Sequence, residues 1–334
     1  MNRTFLAFNG TENQADRLRG SRDRMGRLTL RHFPDGESWL QVDDPVEGRD
    51  VVVVARLDRP DRQLVALHLL ASTLRSMGAA GCTLVAPYMP YMRQDLQRSP
   101  GEVQANRIIG AMLSRDWDHV VTVDPHLHRV ERLDELFSCR TSVVAAAPAI
   151  ARWLQQEHPD AVIAGPDAES AQWVRPVAEL MGRPWLCLDK ERHGDRDVTV
   201  RGFGDADAGS GANAALAREE QQRGGTIRPE ELAGAEVIVL DDIISTGVTL
   251  TRAAQALEEQ GARIAGAIGI HAVFAAGAIE ALDRFPRVVT CNTLLHSSNR
   301  IDVLGEIHRV LLPEVSNGGN GGGGGGGGGG GVAR

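Results

Sequence analysis

Cysteine is scarce: Cys82, Cys139, Cys187 and Cys291 are the only four in 334 residues, and no two form a C-x-x-C pair. That spacing argues against a disulfide framework and a zinc knuckle and favours a reducing compartment, so a cytoplasmic protein is expected. Long hydrophobic runs are missing too. No apolar stretch approaches the ~20 residues a membrane helix needs, and no membrane partner is expected. The segment Met1 to Gly10 carries one basic residue and a short apolar stretch, which fails as a signal peptide and reads as a first strand. Positive charge is not in excess either. A formal net charge of -8 gives no overall attraction to nucleic acid, and only a local basic site for phosphates stays open.

What is present is ordinary globular material in unusual order. A chain of 334 residues suits two domains of ~150 residues each. Short β-branched runs alternate with helical patterns: strand Asp50–Val54, amphipathic helix Gln63–Met77, strand Cys82–Ala86. The alternation continues with a helix over Ala105–Leu113, a strand over His119–Asp124, a helix over Ala147–Gln156 and a strand over Ala161–Ala164. In the second half it runs through Ala171–Met181, Pro184–Leu188, Glu236–Leu240, Thr249–Glu259 and Arg263–Ile270. An α/β architecture with parallel sheets is expected. Strands end abruptly in acids or histidines at Asp124-Pro125-His126, Pro166-Asp167 and Asp241-Asp242, which makes these ends site candidates. The stretch from Gly202 to Gly225 reads as a long loop, and the eleven glycines Gly321 to Gly331 as a disordered tail.

The most specific segment is Val237-Ile238-Val239-Leu240-Asp241-Asp242-Ile243-Ile244-Ser245-Thr246-Gly247-Val248-Thr249. A buried strand delivers two carboxylates, then a small-residue turn that can aim backbone N–H groups and three hydroxyls at a phosphate before a helix begins. The adjacent acids can hold two vicinal ribose hydroxyls. Alone, such a junction could equally be a strand–turn–helix with ordinary Ser and Thr caps. The whole string resembles the phosphoribosyl diphosphate motif of type I phosphoribosyltransferases and diphosphokinases.

Two further segments, Arg31-His32-Phe33-Pro34-Asp35-Gly36-Glu37 and Ala86-Pro87-Tyr88-Met89-Pro90-Tyr91-Met92-Arg93-Gln94-Asp95, resemble signatures of ribose-phosphate diphosphokinases. The chain is therefore similar to that family from about residue 31 to about residue 312. The resemblance implies two similar phosphoribosyltransferase-like domains, each a mostly parallel sheet flanked by helices. Residues 1–146, joined by 293–312, would form the first; 147–292 the second, with the ribose 5-phosphate site; 313–334 the tail. It also assigns roles. Phe33, Asp35, Glu37, Arg93, Gln94, Asp95 and His126 would bind ATP; Asp241, Asp242, Ser245, Thr246, Gly247, Val248 and Thr249 would bind ribose 5-phosphate. His126 and Asp167 would lie near Mg²⁺, and Lys190 and Arg192, on a catalytic loop, would stabilise the reacting phosphates.

The sequence departs from the family at two places. Glu169-Ser170 stands where a glycine pair is usual, and Glu191 where a basic residue is common, with the following residues closer to a shorter, archaeal-type loop. The implied reaction moves the β,γ-diphosphoryl group of ATP to O1 of ribose 5-phosphate, giving AMP and 5-phosphoribosyl 1-diphosphate. Related enzymes are homo-oligomers that share active sites between subunits, so a homo-oligomer is expected. A non-catalytic regulatory homologue and a phosphoribosyltransferase remain the rival readings.

Overall fold

The computed structural model describes residues 3–188, 227 and 231–312. In its first half, β1 (Arg3–Phe8), α1 (Glu12–Leu18) and β2 (Arg24–Met25) precede a hairpin of β3 (Leu28–His32) and β4 (Ser38–Val42). Then come β5 (Asp50–Ala55), α2 (Pro60–Ser76), β6 (Gly81–Val85), α3 (Ala105–Asp116), β7 (His119–Val123) and β8 (Arg140–Val144). The second half has α4 (Ala147–Glu157), β9 (Val162–Gly165), α5 (Ala171–Met181), β10 (Trp185–Cys187), β11 (Glu236–Ile244) and α6 (Val248–Glu259). It closes with β12 (Arg263–Ala272), α7 (Ala278–Leu282), β13 (Val288–Cys291), β14 (Asn299–Ile301) and α8 (Leu304–Leu311). Among the described residues no helix is long and apolar enough to cross a membrane.

Two six-stranded sheets result, ordered β2-β1-β5-β6-β7-β8 and β10-β9-β11-β12-β13-β14. Every pairing in both is parallel. The β-branched runs follow from this: a parallel strand buried on both faces needs apolar side chains at every position. Along β5, Val52 and Val54 pack into one core cluster and Val51 and Val53 into another. The first of these clusters is shared. It also takes in Ile150 of α4, Val174 of α5, Ile307 of α8, and Ile238 and Ile268 of the second sheet, so one helical layer lies between the two sheets. Separate clusters cover the outer faces, under α2 and α3 on one side and α6 on the other.

The segment 293–312 is divided. Its strand β14 extends the second sheet beside β13. Helix α8 instead joins the first half: His308 Nδ1 bonds the Leu18 carbonyl at 2.9 Å, and the Arg3 guanidinium donates to the Leu311 carbonyl.

Strand β11 is longer than its apolar run suggested. It continues past Leu240 to Ile244, so Asp241 and Asp242 lie within the strand rather than beyond it, with Asp241 opposite Gly269 and Ile243 opposite His271 of β12. The reason is Gly269: a Cβ there would come within 2.4 Å of Ile244 Cγ1, so the glycine makes room for the strand's last turn of pairing.

Candidate active site

The second sheet reverses its strand order between β9 and β11, and ligands of open α/β sheets bind beyond the carboxyl ends of strands at such a point. A cavity of about 180 Å³ opens there. β9 contributes Asp167. Gly165 just before it cannot carry a Cβ, which would meet Cys187 Sγ at 2.6 Å and Ser170 Oγ at 2.7 Å. At the Glu169-Ser170 departure, the Ser170 backbone N–H donates to Asp167 Oδ1 at 3.2 Å, and the Asp167 N–H donates to Ser170 Oγ at 3.1 Å. A reciprocal cap thus replaces the glycine pair and fixes the Asp167 carboxylate at the mouth of α5.

β11 contributes the acids and the loop after it. Asp242 is buried and its N–H donates to Asp241 Oδ1 at 3.0 Å. Burial, then the charges of Asp242 and Asp167, push the Asp241 carboxyl well above the usual carboxylate range. The turn that follows is pinned: Ala275 donates to the Ser245 carbonyl at 3.1 Å, and Gly247 sits at φ 77° with Leu282 so close that a Cβ would lie 2.8 Å from its Cγ. Ser245, Thr246 and Thr249 line the cavity at the start of the twelve-residue α6, which favours an anion.

The first half reaches in from the end of β7. His126 Nδ1 lies 2.6 Å from Asp242 Oδ2, a contact between residues 116 positions apart. His128 Nε2 stands 3.1 Å from His126 Nδ1, and His128 Nδ1 is 3.5 Å from the Glu169 carboxylate. Burial, then His126, pushes the His128 imidazole down, against the carboxylates of Glu169, Asp242 and Asp95. Trp173 backs both rings, stacked on His126 at 6.3 Å and edge-on to His128 at 5.8 Å. Among the described residues, Arg93 brings a guanidinium to the cavity lining.

Of the residues singled out from sequence, the cavity gathers Arg93, His126, Asp167, Asp241, Asp242, Ser245, Thr246, Gly247 and Thr249. Val248 opens α6 beside it and is exposed. Gln94 and Asp95 continue the Arg93 loop, where the Asp95 carbonyl accepts from Gln104 Nε2 at 2.7 Å. Phe33, Asp35 and Glu37 stand apart on the exposed tip of the β3–β4 hairpin, whose turn is closed by Gly36 at φ 95° and by the Glu37 N–H donating to Asp35 Oδ1 at 3.1 Å. Lys190 and Arg192 lie outside the described residues, as do the Gly202 to Gly225 stretch and the glycine tail. Sequence reasoning left out Glu169 and Trp173 as lining residues. Glu169 was visible only as a departure, and Trp173 reads as the apolar face of an amphipathic helix.

Paired acids beside a hydroxyl-rich turn at a helix start, on the switch point of a parallel sheet, define a phosphoribosyltransferase-like α/β protein. Comparison with known proteins is narrower. A model of the N-terminal domain of ribose phosphate pyrophosphokinase matches residues 15–115, and a phosphoribosyl transferase domain model matches residues 141–302. The ribose-phosphate pyrophosphokinase of Saccharolobus solfataricus is 31% identical over 278 residues, covering 81% of this chain and 83% of that protein. That of Thermococcus kodakarensis is 28% identical over 305 residues, 91% and 98% respectively. In fold, the chain is similar to the crystal structure of phosphoribosylpyrophosphate synthetase from Mycobacterium smegmatis, with a TM-score of 0.75 at 20% identity over 93% of this chain and 98% of that one. The chain belongs to the ribose-phosphate pyrophosphokinase family and is an enzyme of that family.

Proposed function

We propose that the cavity between Asp167, Asp242 and the 245–249 turn binds ribose 5-phosphate and that the β,γ-diphosphoryl group of ATP is delivered to its O1. The observation that carries this reading is the meeting of the two halves at one point: His126 and Arg93 from the first, paired acids and hydroxyl loop from the second. A phosphoribosyltransferase would need only the second half.

The 5-phosphate would sit on the amides and hydroxyls of Ser245, Thr246, Gly247, Val248 and Thr249, and the ribose hydroxyls on Asp241 and Asp242. Arg93 and His126 line the same cavity from the first half and would meet the triphosphate there. Transfer of this kind depends on positioning and on offsetting charge rather than on covalent catalysis. Lys190 and Arg192 take that second role: the forked guanidinium grips two phosphate oxygens while the ammonium supplies a compact charge as AMP departs.

The acidic lining suits a divalent cation carried in with the triphosphate. Asp241 is driven well above the normal carboxylate range by burial among Asp242 and Asp167. Mg²⁺ relies on few protein ligands and retains water and phosphate oxygens. Asp167 and His126 would hold it, directly or through water, and it would neutralise triphosphate oxygens.

Phe33, Asp35, Glu37, Gln94 and Asp95 complete the ATP site in this reading. The hairpin tip bearing the first three stands clear of its own cavity, so we assign it to the cavity of a second copy in a homo-oligomer. A cytoplasmic setting fits the four free thiols.

The test is AMP formation from ATP and Mg²⁺ with and without ribose 5-phosphate, followed by ³¹P NMR. AMP and a new sugar diphosphate appearing only with the sugar are expected. Sugar binding without turnover would instead make the chain a regulatory homologue.

A further inference from the structure

The mechanism above uses His126 and Asp242 but does not explain why they meet. The turn that carries His126 begins at Asp124, which has φ 31°, a conformation that residues other than glycine rarely adopt. Within the first half this residue is held twice: its N–H donates to the Val144 carbonyl at 3.0 Å, and its Oδ2 accepts from the Ala146 N–H at 2.7 Å. A third tie comes from the second half. His271 Nε2 lies 3.1 Å from the Asp124 carbonyl oxygen.

His271 is the register neighbour of Ile243, so it stands one strand away from Asp242 and one residue further along. Adjacent strands of the second sheet therefore grip the 124–126 turn at two points, Asp242 on the His126 ring and His271 on the Asp124 backbone. The imidazole is 1% exposed, against the Tyr88 ring at 5.1 Å, a place where an apolar side chain would fill space with no polar group to satisfy. Its other nitrogen, Nδ1, is 2.9 Å from Thr293 Oγ1. A carbonyl only accepts, so Nε2 must carry the proton. In the neutral ring Nδ1 carries no proton and faces the Thr293 hydroxyl, which donates to the Ile270 carbonyl at 2.8 Å. Burial pushes the His271 imidazole down, which favours that neutral form.

We propose that His271 is a positioning residue for the diphosphoryl transfer: from the second sheet it holds the Asp124 carbonyl, and thereby fixes the turn that presents His126 to the ribose 5-phosphate crevice. The inference rests on the reaction proposed above, and its test separates the two.

Three variants of the full chain serve. His271→Phe keeps a ring and removes the donor; His271→Gln keeps an N–H near the Nε2 position; Thr293→Val removes the partner of Nδ1 without touching the turn. Turnover, the Michaelis constants and amide hydrogen exchange over residues 124–128 are measured for each, beside thermal midpoints. In His271→Phe, turnover falls by about 10²-fold, the scale of a small misplacement near reacting groups, and the Michaelis constant for ribose 5-phosphate moves far less. Exchange over 124–128 quickens in His271→Phe and Thr293→Val, and His271→Gln restores most of both losses. Unchanged exchange in His271→Phe, or equal impairment of the Gln and Phe variants at unchanged thermal midpoints, overturns the proposal. If His271→Phe does not fold, Thr293→Val decides: quickened exchange supports the clamp and unchanged exchange overturns it. Absence of turnover in the unmodified protein sinks the reaction instead, and leaves the exchange comparison standing.

Discussion

The two sheets have the same plan and reverse their strand order at equivalent places, between β1 and β5 in the first and between β9 and β11 in the second. What lies beyond the strands differs. In the first crevice, the Thr11 hydroxyl donates to the Val54 carbonyl at 2.6 Å and accepts from the Phe8 N–H at 3.0 Å. Asp58 accepts from Gln63 Nε2 at 2.8 Å and lies 3.7 Å from Arg56, while Gln63 Oε1 accepts from the Arg59 N–H at 2.9 Å. The polar groups there are largely spent on one another. In the second crevice, four carboxylates, Asp167, Glu169, Asp241 and Asp242, line one cavity, with Asp241 pushed well above its ordinary pKa, beside a turn of hydroxyls packed at Gly247 against Leu282. Topology locates a crevice, and the residues on its loops decide whether it becomes a site.

Removing one carboxylate from each crevice should break the symmetry most visibly. Asp242→Asn weakens charge-assisted hydrogen bonds to the sugar worth ~1.5–3 kcal/mol, and so should raise the Michaelis constant for ribose 5-phosphate roughly 10- to 100-fold. An effect confined to ATP would contradict the assignment of Asp242. Next in size is Gly247→Ala. The new Cβ meets Leu282 at 2.8 Å in a left-handed conformation, a strain of about 1–3 kcal/mol. Urea unfolding should show that loss together with weaker sugar binding; full stability and full affinity would mean that the turn is not held by the glycine. Asp58→Asn, the matching change in the first crevice, should leave both Michaelis constants unchanged and cost about 1 kcal/mol or less. A loss of turnover there would mean that the first crevice also takes part in the chemistry.

Much of this contrast is legible in the sequence. The valine run Val51–Val54 and the isoleucines of β12 announce strands buried on both faces, and Asp241 to Thr249 announces paired acids followed by a hydroxyl-bearing turn. What was hidden depended on partners distant in sequence. Strand β11 could run on through two acids because a glycine 25 or more positions away, Gly269, leaves space for Ile244. The His126–Asp242 contact joins two halves that share no local pattern. Trp173 looks like any helix-core aromatic until the turn after β7 lays two imidazoles against it. The hairpin tip shows the opposite case: Phe33 matches the family's signature locally, yet nothing in the sequence told that it would stand exposed and outside the cavity lining.

The smallest expected effect lies at the amino end of the first sheet, opposite the end from which β7 feeds the active site. His119 opens β7, with Nε2 2.9 Å from Ser142 Oγ. Burial, and then the Arg140 charge, push its imidazole down from 6.5 to about 4. Between those values the unfolded chain takes up a proton that the folded chain refuses. The contribution to stability is therefore complete above 6.5 and is lost as pH falls towards 4. In His119→Gln that part of the slope should vanish, so the urea midpoints of variant and unmodified protein should converge or cross as the solution is acidified across this window. Midpoints that stay parallel would mean the imidazole titrates alike in both states. Turnover near neutrality should not change in either case, because His119 lies at the amino end of its sheet, away from the crevice where the reaction is proposed.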